Sequence, residues 1–335
     1  MRGILEQLVA GRDLSRADAR RAFEFIMTGQ APESMIGAFL AALATKGETV
    51  DEIVGAAQAM REVCTPVRCS RDCIDTCGTG GDGISTFNVS TTAALIAAAA
   101  GAVVAKHGNR TNTRVCGSAE VLAALGVNIE ADVPTVERCL ERVGIGFLYA
   151  RKLHPAMKYA APVRQAMGIR TVFNVLGPLT NPAGARRQIV GVPRANQTES
   201  LATVLGELGA VHAWVVHGLD GLCDLTVTSE TQVSEWKNGG VHTFRVRPED
   251  VGLARAARSM LLVDSPAASA VAVRAILNGE TGPRRAHAAL NAAAALVVAG
   301  VASDLSDGVD RAQAALDSGA AAATLARLIE ESNRP

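Results

Sequence analysis

Aromatic side chains are scarce: Phe, Tyr and Trp make up 3% of the 335 residues. With 48% of the chain apolar, the core must therefore be built from Ala, Val, Leu and Ile, and Ala-rich segments favour close-packed helices. Charge of one sign is also lacking, since Lys+Arg and Asp+Glu both number 33. A globally basic nucleic-acid binder is thereby disfavoured, whereas a local basic loop is not. Long apolar runs are absent: Ala292 to Val301, for one, falls well short of the ~20 residues that span a bilayer. Met1 to Ala10 carries Arg2 and Glu6 in an amphipathic pattern rather than the apolar stretch of a signal peptide, so a soluble, cytoplasmic protein without membrane contact is expected. The cysteines include no CxxC pair, and the cluster Cys64, Cys69, Cys73 and Cys77 has the spacing of no standard metal or iron–sulfur site. Free thiols in a reducing compartment are the simpler reading.

What is present divides by periodicity. The first ~65 residues read as helices only. Ser15 precedes one apolar-periodic stretch, Glu33-Ser34 opens another that ends near Gly47, and Thr49-Val50-Asp51-Glu52 has the form of a capping box. From about residue 71 short buried strands alternate with helices. Ile74–Cys77, Ala102–Ala105 and Ala213–His217 read as strands; Thr92–Ala100, Ser118–Leu125 and Thr198–Leu208 read as helices, each followed by a glycine (Gly101, Gly126, Gly209) suited to a left-handed cap. The expected fold class is α/β: a small all-helical domain plus a larger domain with a mostly parallel central sheet flanked by helices. The small domain should cover residues 1–66, joined by helices from about 154–178. The large one should cover 71–153 and 179–335, closing with Ala-rich helices from Ala267.

Three segments carry chemistry. The first is Asp75-Thr76-Cys77-Gly78-Thr79-Gly80-Gly81-Asp82-Gly83, followed by Thr86-Phe87-Asn88-Val89-Ser90-Thr91-Thr92. A strand enters, glycines turn the chain so that amides can approach an anion, and a helix start adds unsatisfied N–H groups and partial positive charge. A diphosphate suits that environment; an ordinary glycine turn with a Ser/Thr cap is the plain alternative. Asp82 could accept from a ribose hydroxyl or orient loop amides. No Gly-Lys-Ser/Thr follows, as a Walker loop needs, and Lys106 stands near where a dinucleotide fold places an acid. The second segment, Lys106-His107-Gly108-Asn109-Arg110, gathers cations, an imidazole and an amide at the C-terminal end of a strand, where α/β sheets collect ligands. It continues into Thr111-Asn112-Thr113-Arg114. The third runs from His154 through Arg164, whose planar fork suits a carboxylate, to Gly177-Pro178-Leu179-Thr180-Asn181-Pro182.

Together these segments resemble the anthranilate phosphoribosyltransferase family of tryptophan biosynthesis. The resemblance spans essentially the whole chain: GTGGD with TFNVST, KHGNR, GSAEVLAALGVNI, GFLYARKLHPAMKYAAPVR and GIRTVFNVLGPLTNPAGA. It implies a homodimer whose subunit transfers the ribose phosphate of 5-phosphoribosyl-1-diphosphate to the amine of anthranilate, in a cleft between the two domains. It also implies a donor site of Gly78, Gly81, Asp82, Thr86, Asn88, Val89, Ser90, Thr91, Lys106, His107, Gly108, Asn109, Arg110, Thr113, Arg114 and Ser118. Anthranilate would be held by Asn109 and Arg164, beside Gly78, with His107 and His154 near its entry path. Mg2+, one or two ions, is the implied cofactor, with Ser90 and Asp224 as ligands. No covalent nucleophile is implied, so rate would come from positioning and charge stabilisation.

The pattern departs from the family in places. Cys223-Asp224 stands where an Asp-Glu pair is usual. A thiol is a poor ligand for hard magnesium. Either Asp224 alone holds that ion, or Asp220 helps, or the second site is weak. Arg114 replaces a usual Ser, Val115 a common Lys or Arg, and Glu120 a usual Asp. Two other readings stay open at this level: a divergent paralogue that uses another aromatic amine or binds nucleic acid without transfer, and a pyrimidine nucleoside phosphorylase of shared fold.

Overall fold

The computed structural model describes residues 1–110 and 117–335. Four helices come first: α1 (Arg2–Val9), α2 (Arg16–Met27), α3 (Glu33–Lys46) and α4 (Val50–Glu62). The Ser15 hydroxyl caps α2 by accepting from the Asp18 amide, and Thr49 with Glu52 forms the expected capping box on α4. Glu52 also does long-range work. Its side chain is fully buried, yet both oxygens are satisfied by the Leu14 amide at 2.9 Å and the Lys46 ammonium at 2.9 Å. A glycine at 55 is required where α4 crosses α2, because a Cβ there would overlap the Arg16 carbonyl.

The alternating part contains β1 (Ile74–Gly78), α5 (Val89–Ala99), β2 (Val104–Gly108), α6 (Ser118–Ala124), α7 (Val133–Arg142), β3 (Ile145–Tyr149), α8 (Ala150–Leu153), α9 (Ala161–Met167), α10 (Phe173–Leu179), β4 (Arg187–Gly191), α11 (Thr198–Glu207) and β5 (His212–Gly218). It continues through β6 (Thr231–Lys237), β7 (Gly240–Val246), α12 (Pro266–Leu277), α13 (Pro283–Ala299), α14 (Leu305–Asp317) and α15 (Ala320–Ser332). The strands form one sheet in the order β3-β2-β1-β4-β5-β6-β7. β3 through β5 in that order are parallel, and β6 and β7 close the edge antiparallel. The mostly parallel sheet expected from the alternation is present. The β6–β7 hairpin is an addition to the strands read from periodicity; its turn, Asn238-Gly239, has positive φ at both residues, as a type I′ turn needs.

One face of the sheet is buried by α5 and α12–α15 in an Ala- and Leu-rich core, with α13 nearly all Ala, Leu and Val. On the other face Val190, Val192, Ala213 and Val215 share a core with α2–α4, α11 and residues 156–179. Phe23 sits at the middle of that core, edge-on to Phe39 at 5.7 Å and to Phe173 at 5.5 Å. Helices from both ends of the first 180 residues are thus welded by one aromatic cluster.

Two boundaries differ from the sequence reading, and both matter. β2 runs Val104–Gly108, in register with β3 from Val104↔Ile145 to Gly108↔Tyr149, so Lys106 and His107 are strand residues rather than loop residues. Helix α5 starts at Val89, because Asn88 caps it by accepting from the Thr91 amide at 3.0 Å; Ser90 and Thr91 therefore lie in its first turn.

Candidate active site

The connection from β1 leads out to β2 on one side, while β4 lies on the other side and leads to β5. The strand order therefore reverses between β1 and β4, and the crevice beyond their C-terminal ends is where an α/β sheet binds ligands. The glycine-rich bend occupies that position. Gly78 packs so tightly on β4 that a Cβ would stand 3.2 Å from the Gly191 carbonyl. Gly80, Gly81 and Gly83 have φ of 61°, 92° and 68°, left-handed conformations that glycine adopts without strain. Asp82 orients the bend: its carboxylate accepts from the Ile84 amide at 3.4 Å and the Cys223 amide at 3.2 Å. The bend is thereby tied to the loop after β5.

Beyond the bend, Thr86 bridges to Leu262, and the Asn88 amide donates to Ser269 at 2.9 Å, fixing the start of α5. The Ser90 hydroxyl lies 3.5 Å from the Asn88 side-chain oxygen, and Val89 is in the core. The hydroxyls of Thr86 and Thr91 are buried and have no hydrogen-bond partner among the described residues. Such orphans are costly unless something else satisfies them.

Lys106 is 2% exposed. Its ammonium donates to the Thr76 carbonyl and, at 3.3 Å, to that of His107. It lies beside Asp75, which is fully buried and accepts from the His107 amide at 3.0 Å and Asn181 at 2.8 Å. Burial raises the Asp75 pKa, and Lys106 opposes that rise. His107 and His154 form a buried pair with their Nε2 atoms 3.2 Å apart, and His107 Nδ1 donates to the Gly177 carbonyl at 3.1 Å. Burial first, then the second imidazole, pushes His107 down to about 3; burial pushes His154 down to about 4. Both rings are neutral at physiological pH.

The strand β2 ends at Gly108, where a Cβ would overlap the Ser118 hydroxyl, so the glycine brings the start of α6 against the turn. Asn109 and Arg110 are exposed; the Arg110 Nε donates to the Tyr149 hydroxyl at 3.2 Å. Thr113, Arg114 and Val115 lie outside the described residues.

Arg164, on α9, is half-buried over the Phe173 ring at 5.1 Å, and burial lowers its pKa. It makes no ion pair with any described residue, so a guanidinium is presented without its counter-ion. Sequence reasoning left out a second such group. Arg170, in the link from α9 to α10, lies directly on the bend: a Cβ at Gly81 would overlap its Nη1 and Cζ. Arg170 lies within the third chemistry-bearing segment, but nothing in the sequence brings it to Gly81.

The loop after β5 supplies the last members. Cys223 is buried with its thiol 4.0 Å from the Gly80 carbonyl, and Asp224 is 9% exposed. Both line a small cavity with Thr76, Ser90, Gly191 and Asn291. Asp220 points elsewhere; its carboxylate accepts from Thr226 at 2.9 Å and from Thr228. Among the described residues no three His, Cys, Asp or Glu side chains converge as a metal cage, and Cys64, Cys69, Cys73 and Cys77 are free thiols. No helix of the described residues is long and apolar enough to cross a membrane.

Residues 2–64 match the helical bundle domain of a glycosyl transferase family, and residues 70–322 match its a/b domain. An anthranilate phosphoribosyltransferase of Anaeromyxobacter dehalogenans is 54% identical over 99% of this chain and 98% of its own. One of Symbiobacterium thermophilum is 50% identical over 100% and 98%. Among solved structures, the enzyme of that name from Thermus thermophilus superposes with a TM-score of 0.93 at 40% identity, over 99% of both chains. The one from Saccharomyces cerevisiae in complex with PRPP and Mg superposes with a TM-score of 0.90 at 26% identity, over 98% of this chain and 97% of that one. With likeness of this extent running through both the helical and the sheet regions, the chain belongs to the anthranilate phosphoribosyltransferase family.

Proposed function

We propose that the chain transfers the 5-phosphoribosyl group of 5-phosphoribosyl-1-diphosphate to the amine of anthranilate, releasing diphosphate, as the second step of tryptophan biosynthesis. The observation that carries this is the pairing of an anion cradle at the strand-order reversal with half-buried Arg164, which lacks a counter-ion among described residues. The donor's diphosphate lies against the amides of Gly78–Gly83 and the first turn of α5. Thr86 and Thr91 offer hydroxyls that have no partner among the described residues. Lys106, now on the Thr76 and His107 carbonyls, is close enough to turn toward the donor.

Arg164 takes the acceptor's carboxylate as a planar fork, and Asn109 directs the amine. As the bond from C1 to diphosphate breaks, the amine nitrogen forms the new bond to C1 and then loses a proton. The neutral His107–His154 pair lines the acceptor's approach without adding a competing positive charge.

The donor set also fits magnesium. Ser90 and Asp224 bring hard oxygens to one cavity, and too few protein ligands converge for an all-protein cage, as expected for an ion shared with substrate phosphates. Bound there, the ion would neutralise charge on the leaving group. Cys223 does not fit as a ligand, so a second ion would be weakly held. A homodimer belongs to the same proposal and is read by sedimentation. The test of the function is loss of anthranilate fluorescence on adding donor and Mg2+, with other aromatic amines as controls. Consumption of a control amine in preference to anthranilate would overturn the acceptor assignment.

A further inference from the structure

We propose that Arg170 is a diphosphate-binding residue, reaching from the α9–α10 link onto the donor cradle; the role rests on the phosphoribosyl-transfer reading above. Of the three positive-φ glycines in the bend, Gly80 and Gly83 have open space on the side a Cβ would take, and Gly81 alone has it filled, by the Arg170 guanidinium. Glycine at 81 therefore serves two ends: the backbone turn and the approach of a cation to the bend. That cation is exposed, yet it makes no ion pair or hydrogen bond with any described residue. A full positive charge is held over the bend without an ion pair to any described carboxylate.

The position is built rather than accidental. Gly168, with φ of 64°, ends α9. Three residues after it the chain is locked again, because the Thr171 amide donates to the Asn174 side chain at 2.9 Å and the Asn174 amide returns to the Thr171 carbonyl at 2.9 Å. Arg170 sits between these two anchors. Next to it the Thr171 hydroxyl is buried, with no partner among the described residues.

The charges explain why such a residue is needed. Asp82 and Asp224 bring negative charge near the bend, and Lys106 is engaged by two carbonyls. The start of α5 contributes only about half an elementary charge. A diphosphate carries more than these groups balance, and a guanidinium fork is always charged and matches phosphate oxygens two at a time. Arg164 and Arg170 then divide the work from one short segment: the first faces the acceptor, the second the leaving group.

The experiment measures binding of inorganic diphosphate with Mg2+ to the full chain by calorimetry, for wild type, Arg170→Gln and Arg170→Lys, with steady-state kinetics alongside. Loss of one charge-assisted contact should weaken diphosphate about 10- to 100-fold in Arg170→Gln. The donor KM should rise in parallel, Arg170→Lys should recover part of the loss, and the anthranilate KM at saturating donor should stay within about twofold. Melting temperature should hold, because the side chain is exposed. Unchanged diphosphate affinity overturns the assignment. So does an equal loss for both substrates accompanied by a fall in melting temperature, which would make Arg170 a scaffold residue. A wild-type chain that binds diphosphate through Arg170 yet consumes no anthranilate would sink the transfer reading and leave the diphosphate assignment standing.

Discussion

In the site proposed here, the donor side and the acceptor side are made of different materials. The donor side is built on main chain: a bend of glycines and the first turn of α5, fixed by backbone amides that donate to Asn88, Asp82 and Ser269, with Arg170 laid over it. The acceptor side is side chain: Arg164 on a helix of seven residues, and the His107–His154 pair resting on one carbonyl of α10. A diphosphate is the same in every donor molecule, so rigid amides serve it well. An aromatic acid needs a shaped pocket and a matched cation, and these are easier to vary. Substitutions of the bend's glycines should therefore act through the backbone and be poorly rescued. Those on the acceptor side should act one contact at a time.

The strongest test of the contrast is Gly81→Ala. It places a Cβ where the Arg170 guanidinium lies and forces a non-glycine residue to φ of 92°. Strain of about 1–3 kcal/mol is expected at such a position, together with displacement of the cation. The donor KM should rise by about 100-fold, and Arg170→Ala in the same chain should relieve only the steric part. A Gly81→Ala chain with wild-type donor KM would show that the bend is not the cradle.

Arg164→Ala comes next. A carboxylate losing its bidentate partner gives up roughly 1.5–3 kcal/mol, which is about 10- to 100-fold in anthranilate KM. The donor KM should change little. An equal rise in both would erase the division between the two sides.

A smaller effect is expected at the loop that joins them. Cys223→Asp adds a hard oxygen to a cavity that already holds Ser90 and Asp224. Half-saturating Mg2+ should fall by about threefold to tenfold, in keeping with one added ligand to a hard cation. Overlapping metal titrations for the two chains would remove position 223 from the metal's surroundings.

The contrast also explains how much could be read in advance. The donor bend was legible because glycine spacing and a following cap state a backbone conformation directly, and three positive φ angles bear that out. The helical start was legible from Ser15 and the Thr49–Glu52 box, both seen. The end of β2 was not: Lys106 and His107 look like loop residues until pairing with β3 and burial beside Asp75 make them strand. The β6–β7 hairpin escaped although Asn238-Gly239 is a strong turn signal, because Gln232, Glu235 and Lys237 dilute the apolar alternation. Arg170 was not singled out because its meaning lies in a contact with Gly81, far off in sequence, and only folding brings the two together.

Acid should distinguish the two sides with the smallest but most selective effect. His107 and His154 are held neutral in the folded chain, with pKa values lowered to about 3 and about 4, whereas in the unfolded chain each titrates near the ordinary 6.5. The unfolded state thus binds more protons below that value. The stability these rings contribute is complete above about pH 6.5 and is lost as pH falls toward their folded values. One pH unit below 6.5 should remove about 1 kcal/mol per ring. The rings face each other, the Gly177 carbonyl and the Lys106 side, and among the described residues no carboxylate accepts from either ring. Urea midpoints of wild type and His154→Gln, compared at pH 7.5 and 5.5, measure this. The variant should lose about 1 kcal/mol less than wild type over that interval, because one of the two neutral rings has been removed. Identical losses would mean that the pair is not shielded, and that the acceptor side is wetter and looser than its packing indicates.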